Sequence, residues 1–226
     1  MDLDSFIQLV RSRRTIRRFR PGTLPDDLIE GIIEAGRWAP SGANTQPWEF
    51  VVVKDQETRS RICEIPIKER VVMSQTDRSS PFQNEDALRA KYCEAPALII
   101  VCADLRLIDA YPQKLDRLRT LYMSIGACVE NKHLAATAAG LGMSWGTVGE
   151  LASRKIKELL GIPPTLTVTE ALSIGYPAEA PIKYKRRLNS MIHREKSESQ
   201  KLRTDEEIKH LLQTRRRADI YSGCAP

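Results

Sequence analysis

Residues 115–139, LDRLRTLYMSIGACVENKHLAATAA, carry the longest helical spacing in the chain. In its second half Ile125, Gly126, Ala127, Cys128, Val129, Leu134, Ala135, Ala136, Ala138 and Ala139 leave almost no polar stripe. A helix apolar nearly all round must be covered on several sides. It therefore belongs at the centre of a domain or in a subunit interface, and the rest of the chain has to supply its cover. With 226 residues there is enough chain for one domain with a substantial core.

The covering elements can be read from periodicity and punctuation. Residues 4–10 predict a short helix with Asp4 as N-cap. Residues 25–37 predict a second, with Pro25 in the first turn, Asp26 and Asp27 opposing the dipole, and Leu28, Ile29, Ile32 and Ile33 on one stripe. It must end before Pro40, because the residue preceding a proline resists the helical region. Short β-branched or apolar runs predict strands at 50–53, 97–102, 143–148 and 165–174. A helix at 153–160, capped by Ser153 and stopped by Gly161 and Pro163, lies between the last two. Residues 203–217 predict a final amphipathic helix through Ile208, Leu211 and Leu212. Between 55 and about 90 the pattern is weak and polar, which reads as an insertion or lid, placed at about 65–91. This order predicts an α+β fold, helices around one sheet, in a single domain of residues 1–195 followed by a basic extension, 196–226.

The formal charge of +6 is unevenly spread. Twelve Lys and Arg against five Asp and Glu between residues 183 and 217 give a local +7, which leaves −1 for the remainder. The basic character therefore asks for a local explanation. Cys63, Cys93, Cys102, Cys128 and Cys224 form no CxxC pair and no metal-ligand spacing, so reduced thiols are expected. Acidic Asp2 and Asp4 stand where a signal peptide would be basic, and the longest apolar run, 95–103, is too short to cross a bilayer. A soluble cytoplasmic protein is expected.

Several chemistries find no support. The chain lacks GxxxxGK[ST], HExxH and GxSxG. GLGMSWG, residues 140–146, has the wrong spacing for a dinucleotide fingerprint and reads as a tight turn from helix to strand. Of three histidines, His133 falls on the long helix and reads as a satisfied core residue, while His193 and His210 sit in polar surroundings. An enzyme built this way would depend on a cofactor for its chemistry.

Two stretches stand out. RSRRTIRRFR, residues 11–20, holds six arginines around Thr15, with Ile16 and Phe19 as apolar anchors. Arginine forks grip phosphate bidentately and a threonine hydroxyl adds a neutral donor. A solvated face and a nucleic-acid footprint are the other readings of such a run. WAPSGANTQPWEFVVV, residues 38–53, places a loop of small and amide residues between two prolines and runs into a strand. Small residues permit close approach by a flat ligand, and Asn and Gln amides can donate and accept along a heterocycle's edge.

Together with SIGACVENKHLAATAAGLGMSW and IGYPAEAPIKYKRRLNSMI, in this order, these stretches resemble the nitroreductase family of FMN-dependent oxidoreductases. The resemblance implies a nitroreductase-like fold, a mostly antiparallel sheet flanked by helices. It also implies a homodimer with the long helix and two FMN sites at the interface. Arg13, Arg14 and Thr15 match the family's phosphate and ribityl grip, and Arg17 the basic residue at the flavin's pyrimidine edge, where it would stabilise the reduced ring. Pro40, Ser41, Gly42, Asn44 and Gln46 match the loop offered by the partner subunit. Thr147, Val148 and Gly149 fall where main-chain groups approach flavin N5. Lys183 and Lys185, with Arg186, match the late basic pair at the phosphate.

The activity implied is ping-pong transfer of hydride from NADH or NADPH, through FMN, to a nitroaromatic, quinone or other conjugated acceptor. APSGANTQPW is also close to the loop of the family's iodotyrosine-dehalogenating branch, so a reductive dehalogenase is the alternative within the family. Glu69, Arg70 and Lys91 are candidate substrate contacts, although no tyrosine precedes Tyr92 in the segment where that branch keeps its lid. A non-enzymatic polyanion-binding protein is the alternative outside it.

Overall fold

The computed structural model describes residues 2–76, 89, 93–181 and 185–217, of which 69–76 and 214–217 are described by their backbone alone. Four strands form one antiparallel sheet in the order β1-β2-β4-β3: β1 Trp48–Val53, β2 Ala97–Asp104, β3 Gly142–Thr147 and β4 Leu166–Gly175. Around it lie α1 Leu3–Ser12, α2 Asp26–Arg37, α3 Gln56–Thr76, α4 Arg117–Ala138, α5 Glu150–Leu160 and α6 Asp205–Arg217. This is the α+β architecture expected.

Strand β2 shows why the sheet needs helices on both faces. All eight of its residues are buried. Ala97, Ile99, Val101 and Ala103 enter one core cluster, with Ile29 and Ile32 of α2 and Leu121, Ile125, Cys128 and Val129 of α4. Leu98, Ile100 and Cys102 enter a second, with Ile62 and Cys63 of α3 and Ile156 of α5. The period of two along one strand thus divides the core into two layers, as a strand apolar at every position requires.

Boundaries moved where caps compete. Asp2, not Asp4, caps α1, its carboxylate accepting from the Ser5 amide at 2.7 Å. Helix α5 begins at Glu150 after Gly149, so Ser153 is not its cap. The Ser153 hydroxyl is buried and accepts instead from the Val168 amide at 3.1 Å. The weak stretch after residue 55 begins as the continuous helix α3, and Ile62, Cys63 and Ile67 are buried on it, so this part is core rather than insertion. Its Pro66 and numerous polar residues had blurred the spacing. The proposed lid beyond residue 76 lies almost wholly outside the described residues.

The basic extension forms α6, opened by a capping box in which Thr204 and Glu207 exchange hydrogen bonds at 2.9 and 3.2 Å. Among the described residues no helix is long and apolar enough to cross a membrane.

Candidate functional site

The arginine segment leaves α1 at Arg13 and lies along the end of the sheet. The Ile16 amide donates to the Met143 carbonyl of β3 at 2.9 Å, and Thr15 bridges Met143. Farther on, Ala178 donates to Arg18 and Arg20 to Tyr176, at 2.9 and 2.8 Å. One Glu179 carboxylate oxygen accepts from the amides of both Arg17 and Arg18, the latter at 3.1 Å. Ile16 and Phe19 face inward as expected and pack with Ala95. Room for them comes from two glycines: a Cβ on Gly142 would lie 2.5 Å from Ile16, and one on Gly175 would lie 2.9 Å from Phe19.

This anchoring leaves the arginines in distinct states. Arg13 is half-buried, its Nε 3.3 Å from Glu130 of α4. Arg14 is half-buried and donates to the carbonyls of Arg11 and Arg13. Arg17 is half-buried, whereas Arg11, Arg18 and Arg20 are exposed.

Thr147, Val148 and Gly149 lie at the other end of β3, which starts at Gly142 opposite Gly175 and ends at Thr147 opposite Glu170. A β-bulge in β4 holds them: the register with β2 shifts between Val101 and Cys102, leaving Thr169 as the extra residue. Its carbonyl accepts from the Val148 amide at 2.9 Å, and its hydroxyl donates to the Val101 carbonyl at 3.2 Å. A bulge re-aims the chain beside it, and here it fixes the loop between β3 and α5. Beneath that loop, buried Glu170 accepts from Trp145 Nε1 at 2.8 Å. Burial pushes its carboxyl above the usual range, against the hydrogen bonds from Thr147 and Trp145.

His133 stacks on Trp145, with ring centroids 5.8 Å apart. It lies in the core as expected, but among the described residues neither ring nitrogen finds a hydrogen-bond partner. Burial, then the charges of Arg13 and Lys132, lower its pKa to about 4. The neighbouring Lys132 is also fully buried, with its ammonium 3.6 Å from the Phe50 ring centre and no oxygen or nitrogen partner among the described residues. Burial lowers its pKa to about 8.

The loop of residues 40–46 is shaped by its backbone. Ala43, Asn44 and Gln46 have φ values of 49°, 52° and 48°, and all three are exposed, as is Pro40. Half-buried Ser41 accepts from the Gln46 amide at 2.9 Å. Gly42 sits so close to the domain that a Cβ there would lie 2.5 Å from Thr120 and 2.8 Å from Tyr111. The loop thus turns the Asn44 and Gln46 side chains outward from a tightly seated base.

The later basic residues divide. Lys185 is exposed, while Arg186 binds Ser190 Oγ at 3.0 Å and the Lys201 carbonyl at 2.7 Å, tying two turns of the extension together. Lys183 and Lys91 lie outside the described residues. Glu69 and Arg70 fall on α3, where only the backbone is described. Glu179, Thr169 and Tyr111 had gone unremarked. Glu179 sits within a quoted motif, but nothing in the sequence pairs Thr169 with Val148 or Tyr111 with the loop.

Fold and site together define an α+β protein with a segment of guanidinium and hydroxyl groups docked on an edge strand and a preshaped loop that bears exposed amides. The chain belongs to the Nitroreductase family, whose pattern it matches over residues 10–176. It is 32% identical over 199 residues to an Archaeoglobus fulgidus protein provisionally described as an NADH dehydrogenase/NAD(P)H nitroreductase, covering 86% of this chain and 99% of that one. It is similar to the crystal structure of oxidized iodotyrosine deiodinase bound to FMN and 3-iodo-L-tyrosine, with a TM-score of 0.67 and 25% identity over 85% of this chain and 99% of that one. A nitroreductase-like protein from Desulfovibrio desulfuricans, solved with FMN, has a TM-score of 0.61 and 27% identity over 85% and 98% of the two chains.

Proposed function

We propose that this protein is an FMN-dependent oxidoreductase that works as a homodimer, with NADH or NADPH as donor and a nitroaromatic, quinone or other conjugated molecule as acceptor. The observation that carries this reading is the hydrogen bond from Ile16 to Met143, which docks the arginine segment on β3, the strand that leads into the 147–149 loop. The donor set suits a phosphate-bearing flat ring system. Arg13, Arg14 and Thr15 would hold the phosphate and ribityl chain, with Lys185 and Lys183 approaching from the later basic segment.

Bound FMN would supply hydride acceptance and donation at N5. The protein's part is then to position and to neutralise. Arg17 would place a permanent positive charge at the pyrimidine edge, where reduction leaves negative charge. The 147–149 loop would offer main-chain groups from Thr147 and Gly149 on the N5 side, since the Val148 amide is already spent on Thr169. Pro40, Ser41, Gly42, Asn44 and Gln46 would meet the FMN of the second subunit.

A dimer is supported by exposed large apolar residues on two helices, Leu3, Phe6 and Val10 of α1 and Leu118, Tyr122 and Met123 of α4. Exposed apolar surface of this kind marks an interface more often than free solvent-facing surface.

Anaerobic mixing of the FMN-loaded protein with NADH or NADPH tests the activity. The flavin band should bleach and return on addition of a quinone or nitroaromatic, with parallel lines in a two-substrate kinetic analysis. Reoxidation by 3-iodotyrosine alone would instead assign the dehalogenase alternative, and no bleaching by either nucleotide would overturn nicotinamide-driven turnover.

A further inference from the structure

Backbone strain and side-chain latching meet at one place in this molecule. A left-handed φ costs a non-glycine residue on the order of 1 kcal/mol or more and persists only where the surroundings impose it. Ala43, Asn44 and Gln46 all carry one. Bonds inside the loop close it on itself: Asn44 donates to the Ser41 carbonyl at 3.0 Å, Thr45 to the Gly42 carbonyl at 3.1 Å, and Gln46 to Ser41 Oγ at 2.9 Å. Those bonds shape the loop but do not orient it on the domain.

Two bonds from outside do. Ser124 Oγ of α4 accepts from the Gly42 amide at 3.1 Å, and Tyr111 OH lies 2.8 Å from Thr45 Oγ1. The Thr45 hydroxyl has one proton, which it donates to the Gly42 carbonyl at 3.0 Å. Tyr111 must therefore be the donor to Thr45. The phenol is 3% exposed, and its ring edge is one of the two surfaces against which Gly42 seats. Tyr111 ends the short helical turn Leu105–Ala110 after β2, outside every motif that marks the site.

We propose that Tyr111 is a positioning residue of the flavin site. Its hydroxyl holds Thr45 and its ring edge holds Gly42, and together they keep the Asn44 and Gln46 amides aimed at the FMN of the second subunit. This rests on the flavin reading above.

The test is titration of FMN into the flavin-stripped protein, followed by quenching of FMN fluorescence, for wild type, Tyr111→Phe, Thr45→Val, Thr45→Ser and the Tyr111→Phe/Thr45→Val pair. Tyr111→Phe and Thr45→Val should each weaken FMN binding about tenfold, equivalent to about 1.4 kcal/mol. The pair should lose no more than Thr45→Val alone, because that variant already removes the bond to Tyr111 together with the one to the Gly42 carbonyl. Thr45→Ser keeps the hydroxyl and should bind as wild type, while the unfolding temperatures of the stripped proteins stay close together. If Tyr111→Phe does not fold, the contrast between Thr45→Val and Thr45→Ser carries the decision. Wild-type binding with Tyr111→Phe within twofold of it, or additive losses in the pair, would overturn the positioning role alone. A wild-type protein that takes up no FMN would overturn the flavin reading and this role with it.

Discussion

At the scale of single residues the least expected feature is the pair of buried basic side chains on α4, His133 and Lys132, which have no oxygen or nitrogen partner among the described residues. Burial without a partner disfavours the charged form, so folding works against protonation of His133 and Lys132. Between about pH 4 and 6.5 the unfolded chain holds a proton at His133 that the folded chain lacks. Its contribution to stability therefore grows as pH rises through that window and is lost as pH falls, by about 3 kcal/mol in all. Glu170, with its raised pKa, acts in the opposite sense above the carboxylate range. The comparison that isolates the histidine is His133→Leu against wild type. Denaturant unfolding should show the variant gaining relative stability as pH falls from 6.5 towards 4. A constant difference across that range would mean that the imidazole is hydrogen-bonded after all.

Which site residues can be read from sequence also depends on this scale. Arg13, Thr15, Asn44 and Gln46 advertise themselves because charge, hydroxyl and amide groups cluster within a few positions. Tyr111 and Thr169 do not, because their roles arise only when segments distant in sequence meet. His133 showed its burial through its place in an apolar helix, but not the absence of partners, which depends on what Trp145 and Arg13 bring against it.

At the scale of elements, α2 and α4 pack through a glycine. A Cβ on Gly36 would lie 2.5 Å from Lys132 Cε, 2.7 Å from its Cγ and 3.2 Å from the Cys128 carbonyl. Lys132 is fully buried and cannot swing aside without displacing its neighbours. Gly36→Ala should therefore destabilise the fold by about 1–3 kcal/mol, as overpacking in a core does, and not gain the few tenths that alanine brings to an exposed helix. Denaturant midpoints decide between these outcomes, and an unchanged or higher midpoint would show that the two helices can separate cheaply.

Element types were legible wherever one period dominated, as in α2, α4 and the four strands. They were obscured in α3, where Pro66 interrupts the spacing and apolar residues occupy one narrow face. The bulge at Thr169 is invisible to a period-two reading, yet it fixes the 147–149 loop.

At the scale of the molecule, one sheet with helices on both faces positions three segments that are separated in sequence. The arginine segment docks on β3 through Met143, the 147–149 loop leaves the other end of that strand, and the 40–46 loop is seated on Tyr111 and α4 with its amides turned outward. On the homodimer reading proposed above, a second copy would complete that arrangement and cover the apolar residues of α1 and α4. Sedimentation velocity followed at the flavin absorbance band tests the whole account most directly. The purified protein should sediment as one yellow boundary at about twice the 25.5 kDa of a single chain, carrying about one FMN per chain. A colourless boundary that remains so after incubation with excess FMN would contradict the account and return the arginine segment to a polyanion-binding role.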